Sequence, residues 1–290
     1  MAKPNTKKTS VKIKGKKMGS LAKRILAALV MLPMAIGALW GGYPFVDVLV
    51  LIVGVLLAWE WTNMISSPKS TTYLAAYITS LAVSLFVLYI PMKITMIVLV
   101  SFFVWFNAKN EQHRKLLVLG VPYISIGIGS LLWMYNLFGD TSYSNVEGSD
   151  FYKTLWFCIM VWAMDIGGFI VGSNLKGPKL APKISPNKTW SGLFGGIIFA
   201  MSASYLYYWS LAEFDLIRID VETQKFYAGL GGIIAAVSQI GDFIESAIKR
   251  KLGLKDSSAI IPGHGGVFDR IDGLIFAAPF VYLFFVYLKY

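Results

Sequence analysis

Four carboxylates late in this 290-residue chain fall into pairs three residues apart: Asp242 with Glu245, and Asp269 with Asp272. A spacing of three places both members of a pair on one helix face. Two carboxylates on one face near hydrocarbon repel each other unless a cation or a basic side chain lies between them. Two readings stay open for the first pair: a salt-bridge cluster with Lys249, Arg250 and Lys251, or a divalent metal site. Hard oxygen donors, with one nearby histidine (His264) and no cysteine, suit Mg²⁺ better than zinc. Mg²⁺ commonly takes one or two carboxylates, waters and substrate phosphates, so Asp242 and Asp269 would suffice. Two further acids sit in apolar surroundings. Asp165 is followed by Gly167, Gly168 and Gly172, where helix packing is the competing use, and Glu60 lies between Trp59 and Trp61, where it could reach water.

The segment between the acid pairs, KDSSAIIPGHGGVFDRID, adds Lys255, Asp256, Gly265, Gly266 and Arg270. Its glycines give backbone freedom, and amide N–H groups without a side chain can approach a phosphate. The GxxxxGK[ST] spacing of a phosphate-binding loop is missing. An earlier segment, SNLKGPKLAPKISPNKTWSG, spaces Lys176, Lys179, Lys183 and Lys188 among Pro178, Pro182 and Pro186. Proline stiffens an extended path, and the lysines form a multi-point cationic surface. Cations in one loop and acids in another suit phosphoryl or nucleotidyl transfer, in which positioning and charge neutralisation do most of the catalysis.

Membrane helices must position these groups. The chain is 56% hydrophobic and 15% charged, well below the quarter expected of a soluble domain. The net charge of +11 fits lysines on the cytoplasmic side of spans rather than nucleic-acid binding. Cys158 stands alone, which excludes a disulfide framework and thiolate metal chemistry. Apolar runs predict an all-α polytopic protein with nine spans, at about 22–40, 45–66, 73–91, 93–107, 116–138, 154–172, 191–211, 227–247 and 273–290. Trp40, Tyr43, Trp59, Trp61, Trp105, Trp133 and Trp209 lie near span ends, as an interfacial belt would require. With the amino terminus inside, most of the 27 lysines and arginines fall on the cytoplasmic side. Asp140, Glu147, Asp150, Glu213, Asp215, Asp220 and Glu222 fall outside, as does the carboxyl terminus. Residues 1–21 read as a basic, disordered cytoplasmic tail that touches anionic lipid, with a signal peptide as the competitor. Residues 22–290 read as one transmembrane catalytic domain, its active site mainly within 160–275.

The run from Ser246 through Lys249-Arg250, Lys255-Asp256 and Pro262-Gly263-His264-Gly265-Gly266 to Asp269-Arg270-Ile271-Asp272 resembles the signature of the phosphatidate cytidylyltransferases, or CDP-diacylglycerol synthases, of the bacterial type. The KLAPKISPNKTWSGLFGG block and the WEW around Glu60 are also similar to that family, so the resemblance covers nearly the whole chain after residue 20. One motif departs: in many members the acid at 165 opens a D-S-x-A-Y motif, and here Ile166 and Phe169 replace the serine and tyrosine. The resemblance implies transfer of the cytidylyl group of CTP to phosphatidic acid, giving CDP-diacylglycerol and pyrophosphate with Mg²⁺. For some members it also implies K⁺. In that frame Asp242 and Asp269 are expected as direct metal ligands, with Glu245, Asp165 and Asp272 behind them or on a second cation. Lys188, Lys249, Arg250 and Arg270 are expected to neutralise the triphosphate and lipid phosphate. Lys179, Lys183, Ser185, Asn187, Lys255, Gly265, Gly266 and His264 are expected at the substrates, His264 as a phosphate or loop ligand rather than a base. Membrane lipids are the implied partners, and a homodimer is compatible with the chain. Two alternatives use similar residues: a CTP-dependent polyprenol or lipid-alcohol kinase, and an ion-coupled transporter.

Overall fold

A computed structural model describes residues 20–65, 70–87, 89–109, 112–139, 149–261, 263 and 265–288, with side chains from residue 26 onward. Residues 1–19 of the basic tail and His264 therefore lie outside the described residues, as do Asp140, Glu147 and Lys69, and α1 begins within the expected tail, at Ser20. Among the described residues there are nine helices. They are α1 (Ser20–Gly41), α2 (Phe45–Ile65), α3 (Ser70–Phe86), α4 (Ile90–Asn107), α5 (Arg114–Gly139), α6 (Ser149–Leu175), α7 (Trp190–Glu213), α8 (Val221–Lys251) and α9 (Phe268–Leu288). Each expected apolar segment is thus a helix. Six of them (α2, α4, α5, α6, α8 and α9) are long and apolar enough to cross a membrane, and α1 and α3 contain shorter apolar helices. Large apolar side chains such as Leu29, Ile52, Phe102, Ile198, Ile233 and Phe280 are exposed around the bundle, as a lipid-facing surface requires. The chain is an integral membrane protein.

The lysine- and proline-rich segment is not simply an extended path. It folds back as an antiparallel hairpin of β1 (Lys179–Ala181) and β2 (Ser185–Thr189), with Lys179 opposite Thr189 and Ala181 opposite Ser185. Pro182 and Lys183 occupy its turn. The hairpin feeds directly into α7, where the Thr189 hydroxyl accepts a hydrogen bond from the Gly192 N–H at 3.1 Å and caps the helix.

The interior falls into two apolar clusters. One gathers α2, α3, α4 and α5, and the other gathers α6, α7, α8 and the outer part of α9. Helix α9 belongs to both, through Phe268 and Ile275 in the first and Ala277, Ala278 and Phe285 in the second. Trp61 is buried in the first cluster rather than placed in an interfacial belt, and its indole N–H donates to the Leu116 carbonyl at 3.2 Å. Helices α6 and α7 approach through glycine. A Cβ on Gly192 would come within 2.8 Å of the Gly168 carbonyl oxygen, and one on Gly196 within 2.8 Å of the Met164 carbonyl oxygen. This is the small-residue crossing that lets membrane helices pack backbone to backbone.

Helix α8 has 31 residues and is therefore about 46 Å long, more than a hydrocarbon core of about 30 Å. It continues past the expected end at 247, so Lys249 is a helical residue one turn after Glu245. Its last turn carries Lys249, Arg250 and Lys251, cations that complement the negative end of the helix dipole. The carboxyl ends of α2, α6 and α8, the amino ends of α7 and α9, and the hairpin meet at one end of the bundle, joined by the contacts described next.

Candidate active site

Two groups of carboxylates occupy this end, and they differ in how many hydrogen bonds they receive. Asp242 and Glu245 on α8 and Asp272 on α9 bring one oxygen each within 4.8 Å of one another. Asp242 pairs with Lys188 of β2 and accepts from the Ser246 hydroxyl at 3.3 Å. The Lys188 ammonium also lies 4.8 Å from the centre of the Phe243 ring. Glu245 is buried, pairs through Oε2 with Lys249 at 2.6 Å and meets the Asp269 carboxyl side chain to side chain, while among the described residues no donor reaches its Oε1. A buried carboxyl oxygen with no donor is costly unless a cation, or a proton shared with a neighbouring acid, meets it. Asp165, on α6, lines the adjoining cavity. Asp165, Asp242 and Asp272 repel one another, and Lys188 is a cation that attracts both Asp165 and Asp272.

Asp269 belongs to the other group. Its oxygens accept from Lys249 Nζ at 2.7 Å, the Ser257 N–H at 3.0 and 3.1 Å, and the Gly266 N–H at 2.8 Å. The last contact reaches back three residues at a helix start, the carboxylate half of a capping box. Glu60, on α2, is fully buried and receives four bonds. The Ser257 hydroxyl donates at 3.1 Å, the Ser258 hydroxyl at 2.6 Å, the Val267 N–H at 2.8 Å and the Phe268 N–H at 2.7 Å. The two backbone donors are N–H groups that a helix start leaves without intrahelical partners. Glu60 therefore ties the first half of the chain to the 252–267 loop and the start of α9.

These carboxylates also explain the paired glycines. Gly265 has φ +88° and a Cβ there would lie 2.5 Å from Asp269 Oδ2; one on Gly266 would lie 1.9 Å from the Ser257 hydroxyl and 2.6 Å from Glu60 Oε1. Gly266 leaves room for Ser257 and the Glu60 carboxylate, and Gly265 for the Asp269 carboxylate.

Two cavities flank the acids. A cavity of about 540 Å³ lies between α6, the hairpin, α7 and α8, and Asp165, Lys176, Lys179, Asn187, Lys188 and Gln239 supply its polar lining. Gln239 is buried and its Nε2 has no partner. A second cavity, of about 620 Å³, is lined by Lys255, Asp256, Ser258, Gly265 and Arg270 among others. The expected site residues divide accordingly. Lys179, Asn187 and Lys188 face the first cavity, and Lys255 and Arg270 the second. Lys183 and Ser185 lie at the turn side of the hairpin. Lys249, expected at phosphate, is buried with its ammonium held by Glu245 and Asp269. Arg250 is exposed and donates to the Leu254 carbonyl at 2.9 Å, closing the turn after α8. Among the described residues Asp242, Glu245 and Asp272 form one close cluster of acids, and Asp269 lies beside it against Glu245 and Lys249.

The sequence reading did not single out Ser257, Ser258, Thr189 or Gln239. Gln239 was within reach, because it precedes Asp242 by three residues and so shares its face of α8. The serines had no local signal, since Glu60, which they serve, lies almost 200 residues away in the chain.

Residues 22–288 match the profile described as the cytidylyltransferase family. The chain belongs to that family. Several relatives cover more than nine tenths of it. A phosphatidate cytidylyltransferase of Brucella suis is 30% identical over 276 residues, covering 92% of this chain and 94% of its own. One from Haemophilus influenzae is 29% identical, covering 92% and 99%. One from Rickettsia typhi is 38% identical over 185 residues, covering 63% and 75%. For a cytidylyltransferase the donor set is chemically apt: three hard carboxylates with one unbonded oxygen fit a divalent cation, and lysines border the adjoining cavity.

Proposed function

We propose that this protein transfers the cytidylyl group of CTP to phosphatidic acid, releasing pyrophosphate and forming CDP-diacylglycerol. The observation that carries this reading is the junction of Lys188 with Asp242. There a cationic hairpin meets an acid cluster at the mouth of a cavity between membrane helices. The family and the names of the full-length relatives point to the same reaction.

In this reading the phosphatidate phosphate attacks the α-phosphorus of CTP, and pyrophosphate departs in line. The nucleophile is already an anion, so no strong general base is required and none is assigned. Lys179 and Lys188 bind and orient the triphosphate, and Asn187 adds a neutral contact. Lys255 and Arg270 supply positive charge on the other side of the acids. Asp242, Glu245 and Asp272 would hold Mg²⁺, which when bound neutralises the phosphate oxygens on which charge develops. Asp165 faces the same space and could serve a second cation such as K⁺. Lys249 holds Glu245 and Asp269 in place rather than meeting substrate. The carboxyl ends of α2, α6 and α8 all lie at the site, which fits a cytoplasmic amino terminus, an external carboxyl terminus and a site facing the cytoplasm, where CTP is available.

The test is incubation of purified protein with CTP, Mg²⁺ and phosphatidate. Pyrophosphate and CDP-diacylglycerol should appear in equal amounts. CDP with a phosphorylated alcohol, when a polyprenol is supplied, would instead favour the lipid-alcohol kinase. Absence of both pyrophosphate and CDP-lipid overturns the proposal.

A further inference from the structure

On the far part of the bundle from the acids, α4, α5 and α9 enclose an apolar crevice of about 410 Å³. Ile94, Ile97, Ile126, Pro279 and Leu283 form much of its wall. One charged side chain lines it. Lys93, in the first turn of α4, is only 8% exposed, and its ammonium sits 4.1 Å from the centre of the Trp133 ring. Among the described residues no carboxylate lies within ion-pair distance of it. The surroundings are built to hold this cation. The Trp133 indole N–H donates to the Ser84 carbonyl at 3.0 Å, and its ring packs against Tyr282 with centroids 5.6 Å apart. The positive end of α4 lies beside it without a side-chain cap, because Tyr89 at the cap position makes no such bond.

Among the described residues an aromatic face is the one compensating contact of this ammonium: the ring contributes roughly 0.5–2 kcal/mol, less than the desolvation of a fully buried ion costs. An anion would complete the site, and the apolar wall beside it would accept a hydrocarbon chain. A second apolar cavity, of about 210 Å³, shares Pro122, Ile126 and Pro279 with the first and continues along α5 and α9 toward Tyr123. The crevice is therefore long and narrow as well as apolar.

We infer that this crevice binds an anionic phospholipid of the leaflet opposite the acid cluster, its phosphate on Lys93 and one acyl chain between α5 and α9. The proposed function requires the reacting phosphatidate to bring its phosphate to the acid cluster, so on that reading a lipid whose phosphate sits on Lys93 is a bound companion of the enzyme. Its occupancy ties α4 to the α5–α9 pair, and α9 carries Asp272.

The probe is phosphatidylglycerol with a diazirine in one acyl chain, photolysed with the full-length protein in phosphatidylcholine nanodiscs, followed by peptide mapping. Labelling should fall on α4, α5 and α9 around Ile94, Ile126 and Leu283. The matching phosphatidylcholine probe should label them about fivefold less. Lys93→Gln should remove that preference and Lys93→Arg should keep it, with cytidylyl transfer by both near wild type. Excess inorganic phosphate should not compete. Equal labelling by the two probes in the wild-type protein overturns the inference, and that comparison needs no variant to fold. So does undiminished preference in Lys93→Gln, or displacement by free phosphate, which would make the ligand a phosphate ion.

Discussion

Glu60 and Glu245 are both fully enclosed glutamates on membrane helices at the same end of the bundle, yet they are treated in opposite ways. Every oxygen of Glu60 accepts hydrogen bonds, four in all from Ser257, Ser258, Val267 and Phe268. Glu245 has one oxygen on Lys249, meets the Asp269 side chain, and among the described residues receives no donor at Oε1. The same division separates the two aspartates at the start of α9. Asp269 is surrounded by N–H donors, while Asp272, one turn further, turns toward Asp242 and Glu245. A carboxylate already satisfied by backbone donors builds architecture. One left short of donors, beside others of like charge, is where a cation and its phosphates can enter.

The largest effect should follow from the unsaturated group. Asp242→Asn should lower kcat about 10²–10³-fold, with folded yield and heat-unfolding midpoint close to wild type because a repulsion is relieved. A comparable loss of thermal stability would move Asp242 into the architectural group. Glu60→Gln should do the reverse. It places an amide donor among four donors and should reduce stability by about 3 kcal/mol, with kcat falling about 10–100-fold through misplacement of the α9 start. Differential scanning fluorimetry and limited proteolysis of the 252–267 loop would report it, and an unchanged proteolysis pattern would count against the staple.

Glycine substitutions sharpen the contrast within one loop. Gly266→Ala drives a methyl into Ser257 and Glu60 and should behave like Glu60→Gln in both assays. Gly253 has φ +73° but open space around it, so Gly253→Ala should cost only about 1–2 kcal/mol of backbone strain and leave kcat intact. The smallest effect is expected at the hairpin. Lys179→Gln should raise the KM for CTP about tenfold at nearly constant kcat, the loss of one charged contact. Lys183→Gln, at the turn, should leave KM within about twofold. Equal effects at both lysines would indicate diffuse charge rather than a shaped site.

The helices were legible because the hydrophobic runs are long and the breaks between them polar, and every expected segment became a helix. The ends were less so. Helix α8 outruns its apolar stretch because its last turns are held by Lys249 and its partners rather than by lipid. The hairpin was hidden by its prolines, which fit an extended strand and a turn equally well. That acids and lysines would converge near residues 165, 188, 242 and 272 was readable from residue types. That Asp272 would lie with Asp242 and Glu245 while Asp269 gathers N–H donors was not, since both sit at the same spacing and only the starting point of α9 distinguishes them. With the helix beginning at Phe268, Asp269 falls in its first turn, among the N–H groups that attract a carboxylate. Glu60 could not be given its role from local sequence, because all its donors lie about 200 residues away.

Manganese binding, measured by electron paramagnetic resonance with Mn²⁺ in place of Mg²⁺, tests the division most directly when Asp272→Asn and Asp269→Asn are compared. The account predicts that Asp272→Asn loses the bound signal, whereas Asp269→Asn retains it in whatever fraction stays folded. Retention in Asp272→Asn together with loss in folded Asp269→Asn would contradict it and return the metal to Asp269.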